Sequence, residues 1–458
     1  METTNFTTTG PGESGSSNKP DNMKEIRQDS NTTPPSFMKR NAYSIKAALI
    51  AVLVLLLLIP ATMIMGLISE REHRQYEATG EVSNKWGDAQ TVTGPALIIP
   101  YITKPGETSI AVFLPDKLTV NGELLPEIRR RGIYEVPVYN SHLQINGSFP
   151  VLDIRELSIS PDALLLKDAY LAVGISDMRG ITNQAGVQWN GRSFLFNPGV
   201  TASTLFPHGM QVKLPLSLSD AGVVTGDFAI NLDLRGSGQL FFSPVGKTTV
   251  ININSNWTNP SFAGAFLPNT RKVHDKGFSA SWQVSNLNRN YPQSWKGVNA
   301  YLNTADFGVK LFMPVDVYQQ STRAVKYAIL IIGLTFLVFY FIELLQHKYV
   351  HPLQYILIGG ALCIFYTLLI ALAEQLNFSQ AYLIAGILTI LLVTFYTASI
   401  LRSYRTAIGI GGALSLLYGF IYVIIRSEDQ ALLMGSLGLF LILAVVMYFS
   451  RRIKWGEG

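Results

Sequence analysis

The stretch IELLQHKYVHP places Glu343, His347 and His351 at four-residue steps beside one of the most apolar parts of the chain. Residues four apart share a helix face, so Glu343 and His347 have the spacing of a two-ligand metal site or of a proton relay. His351 precedes Pro352, and the residue before a proline is disfavoured in helical geometry, so a third ligand from His351 would point elsewhere. Position supplies a competing reading. A carboxylate at mid-membrane costs a few kcal/mol, whereas Glu343 stands about two residues, roughly 3 Å, from the end of its apolar run and reaches headgroups cheaply. That placement favours an interfacial anchor that orients the helices on either side. Glu374, in EQLNFSQ, lies at the far end of the next apolar run, too distant to pair with Glu343. Pro352, Gln354 and Tyr355 complete the set of polar or ring-bearing positions singled out by placement for an orienting role.

These residues sit among elements that only a bilayer explains. The 458 residues are 48% hydrophobic and 15% charged, too apolar for an ordinary soluble enzyme of this size. About 20 apolar residues cross the hydrocarbon core as a helix. Six runs qualify: Ala47 to Ile68, Tyr327 to Leu345, Tyr355 to Ala373, Ala381 to Leu401, Ala407 to Ile425 and Ala431 to Phe449. The first follows a polar leader and ends in GLISEREHR without a small-residue cleavage site, so it reads as an anchor rather than a signal peptide. Lys39, Arg40 and Lys46, then Lys348, then Arg402 and Arg405, then Arg451, Arg452 and Lys454 all fall on one side. Basic residues are retained in the cytoplasm, so both termini are expected there and residues 69–325 are expected outside it.

The expected fold is a six-helix membrane bundle carrying a large all-β domain, an antiparallel sandwich or curled sheets. Residues 1–43 read as a disordered cytoplasmic tail, 44–68 as the first membrane helix, 69–325 as the β domain, 326–450 as a five-helix bundle and 451–458 as a cytoplasmic end. Short runs such as TSIAVFLPDKLTVNGEL, IYEVPVYNSHLQINGSF and FGVKLFMPVDVY alternate apolar with polar between Gly, Asn, Asp and Pro, which is strand chemistry. FLPDKL with RGIYEVPV echoes FLPNTR with KGFSASWQV, as two related halves or as recurring turn chemistry. Small residues recur every fourth position at Gly359, Cys363, Thr367 and Ala371, at Ala381, Ala385 and Thr389, and at Gly411, Ser415 and Gly419, as close helix packing in lipid requires. Pro60 removes one helical hydrogen bond and is a candidate kink in the first span.

The motifs of common catalysts fail inspection. GSGQLFFSPVGKTT lacks the first glycine of a phosphate-binding loop, since Phe241 stands five before Gly246. His73, His142, His208 and His274 have no metal-ligand spacing, and Cys363 has no basic neighbour in its span to activate it. Arg129, Arg130 and Arg131 read as a solvated turn or sheet edge, with headgroups or anionic polymers as the alternative. No cofactor and no metal is expected, and no nucleic acid, because the basic residues are not interleaved with aromatics.

Several long pieces together resemble one family, the CreD-type inner membrane proteins of Gram-negative bacteria, known as cell envelope integrity proteins. They are LLLLIPATMIMGLISER followed by WG, GPALIIPY, RRRGIYEVPVY, PSFAGAFLPNTR with GFSASWQV, PQSW, FGVKLFMPVDVYQQSTRAVKYAILIIGLTFLVFYFIELL, HPLQYILIGGALCIFYTLLIALAEQLNF and AYLIAGILT. The likeness runs from about residue 40 to the end. It implies a multi-pass inner membrane protein with a periplasmic domain, tied to envelope homeostasis and stress response, and it supplies no catalytic residues. The expected function is therefore non-enzymatic. A lipid-embedded bundle fixes a periplasmic β domain that engages an envelope protein or polymer, with oligomerisation left open. The rival reading is a transporter or flippase using the C-terminal bundle, against which stand the scarcity of mid-span charges and the lack of an evident inverted repeat.

Overall fold

The computed structural model describes residues 42–220, 222–298, 302–311, 313, 317–346, 349–427 and 430–451. Six of its helices are long and apolar enough to cross a membrane. The first, α1 (Ala42–Trp86), runs unbroken through Pro60 for 45 residues. At 1.5 Å per residue the part beyond Ile68 rises about 27 Å, so the anchor continues as a rod outside the apolar run. Ile50, Leu53, Ala61, Ile64 and Ile68 are buried at steps of three and four or their sums, one stripe held against the bundle. Gly87, at φ +141°, ends the helix in a conformation that side chains rarely adopt, and its N–H bonds the Ser83 carbonyl.

A short amphipathic helix, α2 (Val317–Lys326), leads into the bundle of α3 (Ala328–Gln346), α4 (Pro352–Ala373), α5 (Phe378–Leu401), α6 (Tyr404–Arg426) and α7 (Ala431–Ser450). Residues 69–325 thus begin and end in helix, where a wholly β domain is expected. Among the described residues FGVKLFMPVDVY is a strand over Phe307–Leu311, and its last two residues open α2. Alternating Phe, Val and Leu in that stretch hide the later stripe of Tyr318, Ser321, Ala324 and Val325, whose spacing of three and four buries one helical face.

Between the helices, strands β1 (Gln90–Lys104), β2 (Glu107–Phe113), β3 (Lys117–Arg131) and β4 (Tyr134–Ser148) begin two large sheets. One has nine strands and the other eight, and their facing sides enclose a shared apolar core. The sheets are mixed rather than antiparallel throughout. β1 runs parallel to Gln239–Ser243, and β3 runs parallel to Thr248–Ser255. The chain passes from the nine-stranded to the eight-stranded sheet at Pro115 and again at Pro244, and the two strands that leave these crossovers, β3 and Thr248–Ser255, lie abreast. Lys247 N–H bonds the Pro115 carbonyl and Thr248 N–H bonds the Asp116 carbonyl, each at 2.9 Å. Gln293, from PQSW, donates from Nε2 to the carbonyls of Pro115 (2.6 Å) and Val245 (3.2 Å), tying both crossovers together. SPVGKTT is this second crossover, a structural joint between strands. Each copy of the FLP echo opens a hairpin in the eight-stranded sheet, β3 with β4 and Thr270–His274 with Gly277–Ser285.

The four-residue stripes hold only in part. Gly359 and Cys363 receive α1, with a Cβ on Gly359 falling 2.1 Å from Leu57 Cδ1, but Thr367 and Ala371 are exposed. Gly411 is buried against Thr394, whereas Ser415 and Gly419 are exposed. Four residues exceed one 3.6-residue turn, so each step rotates the stripe by about 40° until it leaves the contact. Ala381, Ala385 and Thr389 all stay buried.

Candidate functional site

Glu343 lies on the face of α3 that also carries Ile332, Phe336 and Phe339, all buried. Its side chain therefore turns into the bundle instead of towards headgroups, and its carboxylate accepts a hydrogen bond from Tyr355 Oη at 3.3 Å. Tyr355 is fully buried, with its ring edge-on to Phe336 and Phe339 at centroid distances of 5.2 and 6.2 Å. His351 is the N-cap of α4. Its Nδ1 accepts from Leu353 N–H at 3.2 Å, and Gln354 Oε1 accepts from His351 N–H at 3.0 Å. Pro352 occupies the first turn, where a missing N–H costs nothing. The ring nitrogen nearest the chain is thus committed to capping. His347 lies outside the described residues. Among the described residues no three His, Cys, Asp or Glu side chains gather as a metal site.

Glu374 stands at the other end of α4, and there the surroundings change character. Its carboxylate accepts from Tyr318 Oη of α2 at 3.1 Å and faces Arg71 Nε of α1 at 3.8 Å. The Arg71 backbone carbonyl in turn accepts from Tyr134 Oη at 3.4 Å. Tyr134 opens β4 at the tip of the long hairpin, and its ring packs against the apolar core of the bundle. Burial first, then the Glu374 carboxylate and the Tyr134 hydroxyl, push the Tyr318 phenol above its ordinary range, so it remains a donor. Rod, short helix and bundle meet at this one carboxylate, and the hairpin joins them through the Arg71 carbonyl.

The joint continues up the rod. Arg131 reaches Glu81 at 2.9 Å, and Arg129 and Arg130 pair with Glu127 and Glu135, so the arginine run is the ion-paired flank of a hairpin tip. At the top, the Trp86 ring lies between the Arg129 and Arg235 guanidinium groups, 4.7 and 4.5 Å from its centroid, and its Nε1–H bonds the Tyr139 carbonyl. Arg179 Nη1 donates to the Asn84 carbonyl at 2.7 Å, a cation at the negative end of the helix dipole. Ser237 Oγ donates to Ser83 Oγ at 2.8 Å, buried. The rod is therefore gripped at its foot by the bundle and at its head by the eight-stranded sheet and the turn that carries Arg179.

With this geometry in view, comparison with known proteins is decisive. The family described as inner membrane protein CreD matches residues 42–456. The chain belongs to the CreD family. Inner membrane protein CreD of Escherichia coli (strain K12) is 33% identical over 415 residues, covering 88% of this chain and 91% of that protein. A crystal structure of M1 zinc metallopeptidase from Deinococcus radiodurans overlaps 37% of this chain and 39% of its own at 11% identity, with a TM-score of 0.17 that carries no argument. As a CreD family member the protein is a multi-pass inner membrane protein.

Arg71, Tyr134, Tyr318 and Trp86 are the residues of this CreD family chain that placement in the sequence did not single out. Each lies more than fifty positions from its hydrogen-bonding or ion-pairing partner, and only Trp86 carried a signal, as part of the WG pair quoted for the family resemblance. One titratable cluster lies away from the joint. Asp306 accepts from Ser243 Oγ, which also contacts Thr93 Oγ1 at 2.7 Å, and burial pushes the Asp306 carboxyl up to about 6.

Proposed function

We propose that this CreD family protein is a non-enzymatic membrane scaffold that acts in envelope integrity and stress response. Both termini lie in the cytoplasm, the β domain stands in the periplasm on its rod, and that domain engages an envelope component. The observation that carries the reading is the four-element joint at Glu374. A domain tethered only for localisation needs one flexible linker. Here a rigid helix and a hairpin both run from the sheets to the bundle, so a load or ligand on the sheets is transmitted to the membrane helices. The basic residues flanking the spans support the orientation.

Photocrosslinking in living cells from surface positions within residues 87–311 tests the reading. A defined envelope component captured from the β domain is the expected result. Movement of lipid or solute by the purified protein in liposomes, abolished by Glu343→Gln or Glu374→Gln, would replace the scaffold with a transporter. Reporters fused at either terminus should be active only as cytoplasmic fusions.

A further inference from the structure

The outward face of the eight-stranded sheet carries a row of side chains that ordinary strand preferences do not explain. Ser281, Asn252, Asn121, Gln144 and Asn231 stand in register across five adjacent strands. The next row includes Thr119 and Asn146, again opposite one another. Asparagine is depleted in strands, where branched and aromatic residues pack better, yet it occupies outward positions of four neighbouring strands here. Such agreement across strands against local propensity marks a face kept for contact. The row is also preorganised at one end, since Asn252 donates to Asn121 Oδ1 at 2.9 Å and accepts from Ser281 Oγ at 2.7 Å.

We propose that this amide face binds an uncharged polysaccharide bearing hydroxyl and acetamido groups. The proposal rests on the scaffold reading above and names the class of component that the β domain engages. Each amide offers two N–H donors and a carbonyl acceptor without charge, matching sugar groups that both donate and accept. Neighbouring strands stand about 4.8 Å apart, so the five side chains repeat at a spacing close to the advance per sugar of an extended β-linked glycan. Charge selects against other polymers. The two rows described hold no ionisable side chain, and the charged ones begin only at the flanking rows, with Lys117 and Asp227 on one side and Glu123, His142 and Asp233 on the other. A phosphate-rich or acidic polymer would find no counter-charge in the band.

A shallow depression of about 400 Å³ adjoins the band, lined among others by Thr119, Val250, Ser285 and Asn286, with the Lys247–Asp116 ion pair at its rim. That volume lies within the range of small-molecule sites and suits one sugar ring at the end of a chain. Leu287, next to Asn286, is 89% exposed and offers an apolar surface to the C–H face of a ring.

Purified full-length protein in nanodiscs, titrated calorimetrically with chitohexaose, tests the assignment. The side chains of Gln144 and Asn231 hydrogen-bond no protein group among the described residues, so Gln144→Ala with Asn231→Ala leaves the backbone ladder and the fold intact. Binding is expected, with affinity falling roughly tenfold in that double variant as two hydrogen-bonding amides are lost. Asn121→Ala with Asn252→Ala is the second variant, its unfolding midpoint recorded beside its affinity. No heat at millimolar chitohexaose, or the same affinity in wild type and the first double variant, would overturn the glycan site. Crosslinking in cells that still captured an envelope protein from the β domain would then leave the scaffold reading standing, whereas a β domain that captured nothing would remove that reading instead.

Discussion

The two ends of α4 use the same pair of groups, a glutamate and a tyrosine hydroxyl, for different ends. At one, Glu343 and Tyr355 belong to adjacent helices of the bundle and are enclosed by its own phenylalanines. At the other, Glu374 meets Tyr318, Arg71 and, through the Arg71 carbonyl, Tyr134, so its neighbours come from α2, the rod and the β hairpin. The chemistry of a residue pair does not decide its role. What decides it is whether the partners belong to one packing unit or to several. The first end stabilises a bundle, and the second couples two domains.

Substitutions should separate the ends. The largest effect is expected at the enclosed end. Tyr355→Ala empties a fully buried aromatic site and should cost the bundle about 3–5 kcal/mol, read by thermal unfolding in detergent, while proteolytic resistance of the β domain is retained. A β domain that lost resistance in parallel would break the distinction. Next is a control inside the β domain, Asp306. Its carboxyl is raised above the unfolded value of 3.8, so its contribution to stability is present below that value and lost as pH rises through about 6. Asp306→Asn should therefore flatten the pH dependence of β-domain unfolding, by roughly 2 kcal/mol between about pH 4 and pH 7.5, and leave bundle unfolding unchanged.

At the coupled end, Tyr318→Phe removes a donor to a carboxylate and should cost about 1–2 kcal/mol. Its sharper signature is geometric. Spin labels on the β domain and on α5 should show a broader distance distribution in Tyr318→Phe than in Tyr355→Phe, and equal widths in the two would make the joint a local contact only. The smallest effect is expected from Arg71→Ala, below about 1 kcal/mol, because the Arg71 side chain is 37% exposed and its pair spans 3.8 Å. A Tyr134→Phe and Tyr318→Phe double-mutant cycle should nonetheless give a non-zero coupling between hairpin and α2.

The helices were legible because lipid imposes a length and a composition that no other environment demands, as the runs around Ile331 and Leu362 show. The strands were legible by alternation, apart from the segment around Tyr318, where two periodicities overlap in a few residues. Pro352 indicated only that His351 leaves the helical face, and its capping of α4 is seen in the structure alone. The inward turn of Glu343 was available in the spacing of Ile332, Phe336 and Phe339, but proximity to the span end outweighed it. The parallel pairings were hidden, since alternation reports which face a residue takes and is silent on which strand lies beside it.

The sequence alone therefore determined the membrane spans, the β texture and the likeness to the CreD family, because these depend on the chemistry of contiguous residues. Only the tertiary structure decided that α1 continues as a rod, that Tyr134 descends to meet Arg71 and Tyr318 at Glu374, and that amides from five strands align into one row. Each of these joins residues tens to more than a hundred positions apart. Their meeting is set by the packing of sheets and helices as a whole, which no local preference encodes.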